Sequence, residues 1–272
     1  MLSLSKHGPT LRQAQGERNL KRGAIVTQTF DHLLLLGRPA AGKSEFIDFM
    51  KKTSDNDRAR DFHIGNFEEL DDFVWLWEKF VEDDLWQAAG FPRLYSDKFD
   101  GGRNCGLKSN KGELFDFMFA RFNHEAKKHF LNRSDFYHDG TLVIEFARGG
   151  KDGYTRALPR LSNEILERAA ILYVKVSYEE SCRRNEARYR EKLAHSVLAH
   201  KVPDETLDHF YRLDDWDTLT QERKEGVLDI KGIHIPFVTM LNEPELTERE
   251  PLAKRYGSAL QKLWQLYKHS PS

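Results

Sequence analysis

A chain of 272 residues is long enough for one large α/β domain with a sizeable core. Its 42 basic and 43 acidic residues leave a net charge of -1, which excludes an electrostatic case for a nucleic-acid or anionic-membrane partner. Two cysteines, Cys105 and Cys182, show no metal or redox spacing, and no apolar run could cross a bilayer or act as a secretory signal, so a reducing, cytoplasmic setting is expected.

Residues 1–28 are polar and lack apolar periodicity, which predicts a disordered tail ahead of a single domain over 29–272. Lys6, Arg12, Arg18, Lys21 and Arg22 against Glu17 give this tail +4. Its stretch 2–18 resembles a peptide that recurs at the ends of unrelated bacterial reading frames, as a translated intergenic repeat would, which implies a later native start.

The run from Leu33 to Leu36 reads as a buried parallel strand and leads into Gly37-Arg38-Pro39-Ala40-Ala41-Gly42-Lys43-Ser44, a full match to the phosphate-loop pattern G-x-x-x-x-G-K-[ST]. The glycines allow backbone bends that a Cβ would block, so that loop amides can converge on phosphates. Lys43 is the expected partner of the β and γ phosphates and Ser44 of Mg²⁺. Phe46, Ile47, Phe49 and Met50 then fall at helical spacing, and the helix N-terminus adds its partial positive charge to the anion site.

Residues 62–67 read as a second short strand, followed by the acidic Glu68, Glu69, Asp71 and Asp72 and by a helix from about residue 70. Residues 90–112 suit a long mobile loop, and 113–130 a helix. A third strand over 141–146 carries Glu145 near its end, where a carboxylate can hold Mg²⁺. A helix over 163–170, a fourth strand over 171–177, a charged helix over 179–195, another from Pro203, a fifth strand over 233–240 and a closing helix over 252–267 complete the chain. Strands alternating with helices predict a three-layer α/β/α domain around five parallel strands.

Neither a guanine-reading Asn-Lys-x-Asp nor an ABC signature is present. After the fourth strand stands Glu180-Ser-Cys-Arg-Arg184-Asn-Glu-Ala-Arg188-Tyr-Arg190. Here the chain resembles the P-loop kinases of nucleosides, nucleotides and other small metabolites, in which an arginine-rich lid closes over the triphosphate. The arginine spacing and the downstream Val202-Pro-Asp-Glu leading to Tyr211 and Trp216 look most like the deoxynucleoside-kinase branch, with the arginines displaced by one residue and no Asp/Glu-Arg-Ser after the third strand.

The resemblance implies sheet order 2-3-1-4-5, helical insertions and a lid. It implies ATP and Mg²⁺ as cofactors, Glu180 and Arg190 beside the donor, Arg184 and Arg188 closing over the transferring group, and a general base just past the second strand. Glu68 and Glu69 fit that base, with Asp71 or Asp72 as substitutes. Arg148 is near enough to pair with Glu145 or contact a substrate phosphate, and the 95–105 loop with Trp75 and Trp86 could form the acceptor pocket. The expected reaction is transfer of the γ-phosphate to a small nucleoside- or nucleotide-like acceptor. The rival reading is a nucleotide-binding regulatory ATPase that works through a protein partner, and the acidic core argues against a polynucleotide substrate.

Overall fold

The computed structural model describes residues 29–194 and 200–269, so the expected tail and the end of the arginine helix lie outside the described residues. Eight strands occur among them: β1 (His32–Leu36), β2 (Asn66–Asp71), β3 (Ser96–Phe99), β4 (Asn104–Leu107), β5 (Gly140–Phe146), β6 (Ala169–Lys175), β7 (Glu225–Ile230) and β8 (Ile233–Leu241). Six form one sheet in the order β2-β5-β1-β6-β8-β7. Every neighbouring pair in it is parallel except β7 with β8.

The helices are α1 (Lys43–Lys51), α2 (Asp55–Phe62), α3 (Asp72–Ala88), α4 (Glu113–Ala126), α5 (Gly153–Ala157), α6 (Asn163–Leu166), α7 (Tyr178–Leu193), α8 (Asp204–Tyr211), α9 (Trp216–Thr220) and α10 (Arg249–His269). Both faces of the sheet are covered, which explains why β1 is apolar without alternation. Leu33 and Leu35 pack with Phe46 and Met50 of α1, Phe62 of α2 and Leu260 of α10. Leu34 and Leu36 pack on the opposite side with Trp75 of α3, Phe122 of α4, Tyr154 of α5 and Trp216 of α9. No helix among the described residues is long and apolar enough to cross a membrane.

The second strand overlaps the expected 62–67 only at Asn66 and Phe67 and runs on to Asp71. Phe62 ends α2, which Ser54 caps by accepting from the Asp57 amide at 3.3 Å, and the chain turns at His63 (φ 56°). Acidic residues therefore sit within an edge strand, with Asp71 in register with Glu145.

The sheet has six strands rather than five. β7 was hidden because only Leu228 and Ile230 of its residues are buried, and the two-residue turn Lys231–Gly232, with φ of 56° and 81°, folds it back antiparallel onto β8. Residues 90–112 are not a long loop, since β3 and β4 form an antiparallel ribbon within them. The buried Asp83 carboxylate anchors this ribbon, accepting from the amides of Leu94, Tyr95 and Ser96 at 2.7, 2.9 and 2.6 Å and from Ser96 Oγ at 2.7 Å. The helix expected over 163–170 is a single turn, because β6 already begins at Ala169.

Candidate active site

The carboxyl ends of β1, β2 and β5 open onto one cavity, as is usual for parallel sheets. The chain leaves β1 through residues 37–42, where Gly37 has φ 144° and Gly42 φ 106°. A Cβ on Gly37 would stand 2.4 Å from the Val174 carbonyl oxygen, and one on Gly42 would stand 2.3 Å from Asn242 Nδ2. Both positions thus exclude a side chain through conformation and contact. α1 then starts at Lys43 with no side-chain cap, which leaves its first-turn amides directed at the cavity mouth.

Lys43 is buried and folds back over the loop, its Nζ donating to the carbonyls of Gly37 at 2.9 Å and Arg38 at 3.1 Å. Glu145 Oε1 lies 3.8 Å from the same ammonium. Other residues brace the loop from outside the cavity. Ser181 Oγ donates to the Pro39 carbonyl at 2.7 Å, Asn242 Nδ2 to the Ala41 carbonyl at 2.8 Å, and the Tyr154 hydroxyl accepts from the Gly37 amide at 3.2 Å. Arg38 points away from the cavity to Asp214, at 2.9 Å.

Opposite Lys43 stands a cluster of acids. One carboxylate oxygen each from Glu69, Asp71 and Glu145 lies within 4.8 Å of the others. Burial pushes the Glu145 carboxyl up to about 7; the Lys43 charge opposes this and the neighbouring Asp71 and Glu69 add to it. Burial and the adjacent Asp72 likewise push Asp71 up to about 6, against the Phe73 amide and Lys43. Gathered carboxylates of this kind are suited to a divalent cation, which relieves their mutual repulsion, and Ser44 lines the same cavity with its hydroxyl.

Below the acids, Arg148 pairs with Asp72 at 2.6 Å, not with Glu145. Its guanidinium lies over the rings of Phe115, Phe119 and Phe146, 4.7, 4.7 and 5.4 Å from their centres. Burial pushes the Asp72 carboxyl up and the Arg148 charge pulls it back. The cavity encloses about 230 Å³ and continues from the acids into a recess walled by Phe73, Trp77, Phe115 and Tyr211.

The candidate residues are thus divided in space. Lys43, Ser44, Glu145 and Arg188 line the cavity, as do Asp71 and Asp72. Strand alternation places Glu69 and Asp71 on one face of β2 and the exposed Glu68 on the other, outside the cavity. Glu69 belongs to the acid cluster and is also tied to Lys51 at 2.8 Å.

Arg188 forms an ion pair with Glu45 in the first turn of α1. Arg184 does not line the cavity: it is 1 % exposed, donates from Nε to Glu180 at 2.6 Å and from Nη2 to the Asn242 carbonyl at 2.7 Å, and so braces the loop from behind. Hydrogen bonds from Arg183 and Arg184 hold the Glu180 carboxyl down to about 2. Arg190 is exposed, bonded to Glu186 at 2.7 Å and outside the cavity. Trp75 is a core residue and Trp86 a surface one, and neither reaches the cavity, whose wall comes instead from Phe73, Trp77, Phe115 and Tyr211. Ser181, Tyr154 and Asn242 had no signal in the sequence; the register of β5 and β6 with β1, and of β8 with β6, brings the segments that follow those strands to the loop.

No family model matches the chain, and no curated protein matches it. Among solved structures, the chain is similar to APE1195 at 14% identity and a TM-score of 0.38, with 87% of this chain and 98% of that one covered. It is similar to an unliganded sugar kinase from Janibacter sp. HTCC2649 at 12% identity and a TM-score of 0.37, with the same coverage of 87% and 98%. A structure from Chloroflexus aurantiacus j-10-fl, described as a candidate kinase, is similar at 13% identity and a TM-score of 0.38, covering 85% of this chain and 98% of that one. The functional reading rests on the residues of this chain.

Proposed function

We propose that the chain is an ATP-dependent phosphotransferase acting on a small hydroxyl-bearing acceptor of nucleoside or nucleotide type. The observation that carries the reading is that one cavity joins three features. These are a helix N-terminus without a side-chain cap that carries Lys43, a cluster of carboxylates, and an aromatic recess, all within a cavity of about 230 Å³. The first suits a triphosphate, the second a cation and a proton acceptor, and the third the body of an acceptor.

In this scheme the amides of residues 40–44 and the Lys43 ammonium hold the β and γ phosphates, and Lys43 exchanges its two carbonyl partners for phosphate oxygens. Ser44 and Glu145 are the residues to hold Mg²⁺, with Glu69 beside them; when bound, the ion neutralises charge on the transferring group. Asp71 takes the role first sought in Glu68 and Glu69. Its carboxyl is in the cavity, and a value near 6 leaves it ionised at neutral pH yet basic enough to accept the acceptor's hydroxyl proton.

Arg188 leaves Glu45 to meet the γ-phosphate as the charge on it develops. Arg184 acts through the loop it braces and is a positioning residue. Phe115 and Tyr211 on one side and Trp77 on the other keep water from the phosphoryl group, which favours the acceptor over hydrolysis.

The test is ADP release from Mg-ATP with and without a panel of nucleosides, nucleotides, sugars and other small alcohols, using protein that lacks residues 1–28. Release stimulated by one acceptor class supports the reading. A second reading, a regulatory ATPase with a protein partner, draws on the large exposed apolar residues Val81, Leu85, Trp86 and Phe91 at the end of α3 and just beyond it. Tight ATP binding with slow release that no acceptor stimulates would favour it.

A further inference from the structure

A second, open cavity of about 460 Å³ lies between β8 and α10. Its walls carry four cationic side chains, Lys224, Lys254, Arg255 and Lys262, against one carboxylate, Glu225. Lys262 takes that carboxylate at 3.3 Å. No carboxylate among the described residues pairs with Lys224, Lys254 or Arg255, so a chain with a net charge of -1 keeps a local excess of unneutralised positive charge around one hollow.

Arg255 is the informative member of the group. It is partly buried, and Nη1 has only neutral acceptors, Asn242 Oδ1 at 2.7 Å and the Pro244 carbonyl at 3.0 Å. Burial and the nearby Arg184 charge both push its guanidinium down, a cost that an anion beside it would remove. Its partner Asn242 is the residue that donates to the Ala41 carbonyl and stands against Gly42. A single asparagine therefore separates the wall of this cavity from the proposed phosphate loop. The remaining wall is mostly apolar, with Met240 and Leu246, and includes Thr239 and Ser258.

We propose that this cavity is a regulatory site for a phosphomonoester or similar small dianion with an apolar body, and that its occupancy weakens nucleotide binding through Arg255 and Asn242. The dianion sits among Lys224, Lys254 and Lys262 and draws the Arg255 guanidinium from Asn242 Oδ1, which loosens the amide that braces Ala41. By linkage, nucleotide and dianion then weaken each other by the same factor.

The probe is phenyl phosphate, followed by titration calorimetry on the full chain, on Lys43→Ala and on the double variant Lys254→Ala/Lys262→Ala. The expected result is a phenyl phosphate site that survives Lys43→Ala and is weakened by about tenfold or more in the double variant. Saturating phenyl phosphate should also weaken a fluorescent ATP analogue by about fivefold in the unaltered chain and much less in the double variant, which retains any direct competition at the loop. Binding that vanishes in Lys43→Ala and is untouched in the double variant overturns the site. Binding in the cavity with unchanged analogue affinity overturns the coupling. The coupling rests on the nucleotide reading, whereas the titration on Lys43→Ala does not: failure of the unaltered chain to bind any ATP analogue would sink the nucleotide reading alone.

Discussion

Replacing Glu145 by Gln should make the metal-free protein more stable at high pH, although the residue lies in the proposed active site. Its carboxyl is raised from 4.5 to about 7 in the folded chain. A carboxyl raised on folding stabilises the native state fully below its unfolded value, and that stability is lost as pH rises through the folded value. The relevant window here runs from 4.5 to about 7. A shift of this size corresponds to ~3 kcal/mol. Glu145 titrates as a pair with Asp71, so the measured steps belong to both groups.

His32 works in the opposite direction. Burial lowers it from 6.5 to about 4, and its stabilising effect is present above 6.5 and lost as pH falls through about 4. The difference between Glu145→Gln and the unaltered chain cancels that contribution. Urea unfolding in chelator should give nearly equal stabilities at about pH 4, below the unfolded value, and an advantage of ~3 kcal/mol for Glu145→Gln at about pH 8. Added Mg²⁺ should recover the unaltered chain at the higher pH and leave the variant unmoved. A stability difference that does not change with pH, or a variant less stable at alkaline pH, would refute the burial argument.

Three further outcomes follow from the same geometry. Arg184→Ala leaves Glu180 without its buried partner and the Asn242 carbonyl without a donor, so its unfolding free energy should fall by about 3 kcal/mol or more, while Arg190→Ala on the exposed side of α7 should stay within about 0.5 kcal/mol; equal losses would contradict the bracing role. Gly37→Ala should cost roughly 2–4 kcal/mol through strain and collision with the Val174 carbonyl, and abolish binding of a fluorescent ATP analogue. Gly90→Ala, also at positive φ but facing open space, is its control at about 1–2 kcal/mol. Asp83→Ala leaves four donors unpaired and should release the β3–β4 ribbon, seen as new protease cleavage between residues 94 and 107; an unchanged digestion pattern would show that the carboxylate is not its anchor.

The parts legible in the sequence were those with strong local signals. A continuous apolar run marked β1 because burial on both faces removes alternation, and Gly37, Gly42, Lys43 and Ser44, singled out by spacing alone, lie in the turn from β1 into α1. Glu145 stood out as an acid closing an apolar strand. The placement of β2 was lost because Glu68, Glu69 and Asp71 oppose strand propensity, and an edge strand tolerates them. Once the pairing of Asp71 with Glu145 is known, alternation selects Asp71 for the cavity and rejects Glu68, a choice that sequence distance cannot make. The arginine helix was legible as a helix, but which arginine faces the loop depended on contacts with Asn242, 58 residues away in the chain from Arg184.

The most direct test of the central claim is transfer of labelled phosphate from γ-labelled ATP, with Mg²⁺, to an acceptor chosen from the panel. The account predicts label in the acceptor with the unaltered chain and with Glu68→Gln. It predicts loss of nearly all transfer with Lys43→Ala and with Asp71→Asn, the latter while still binding the nucleotide. Equal transfer by Asp71→Asn and the unaltered chain would contradict the assignment of the base, and full transfer by Lys43→Ala would contradict the site itself.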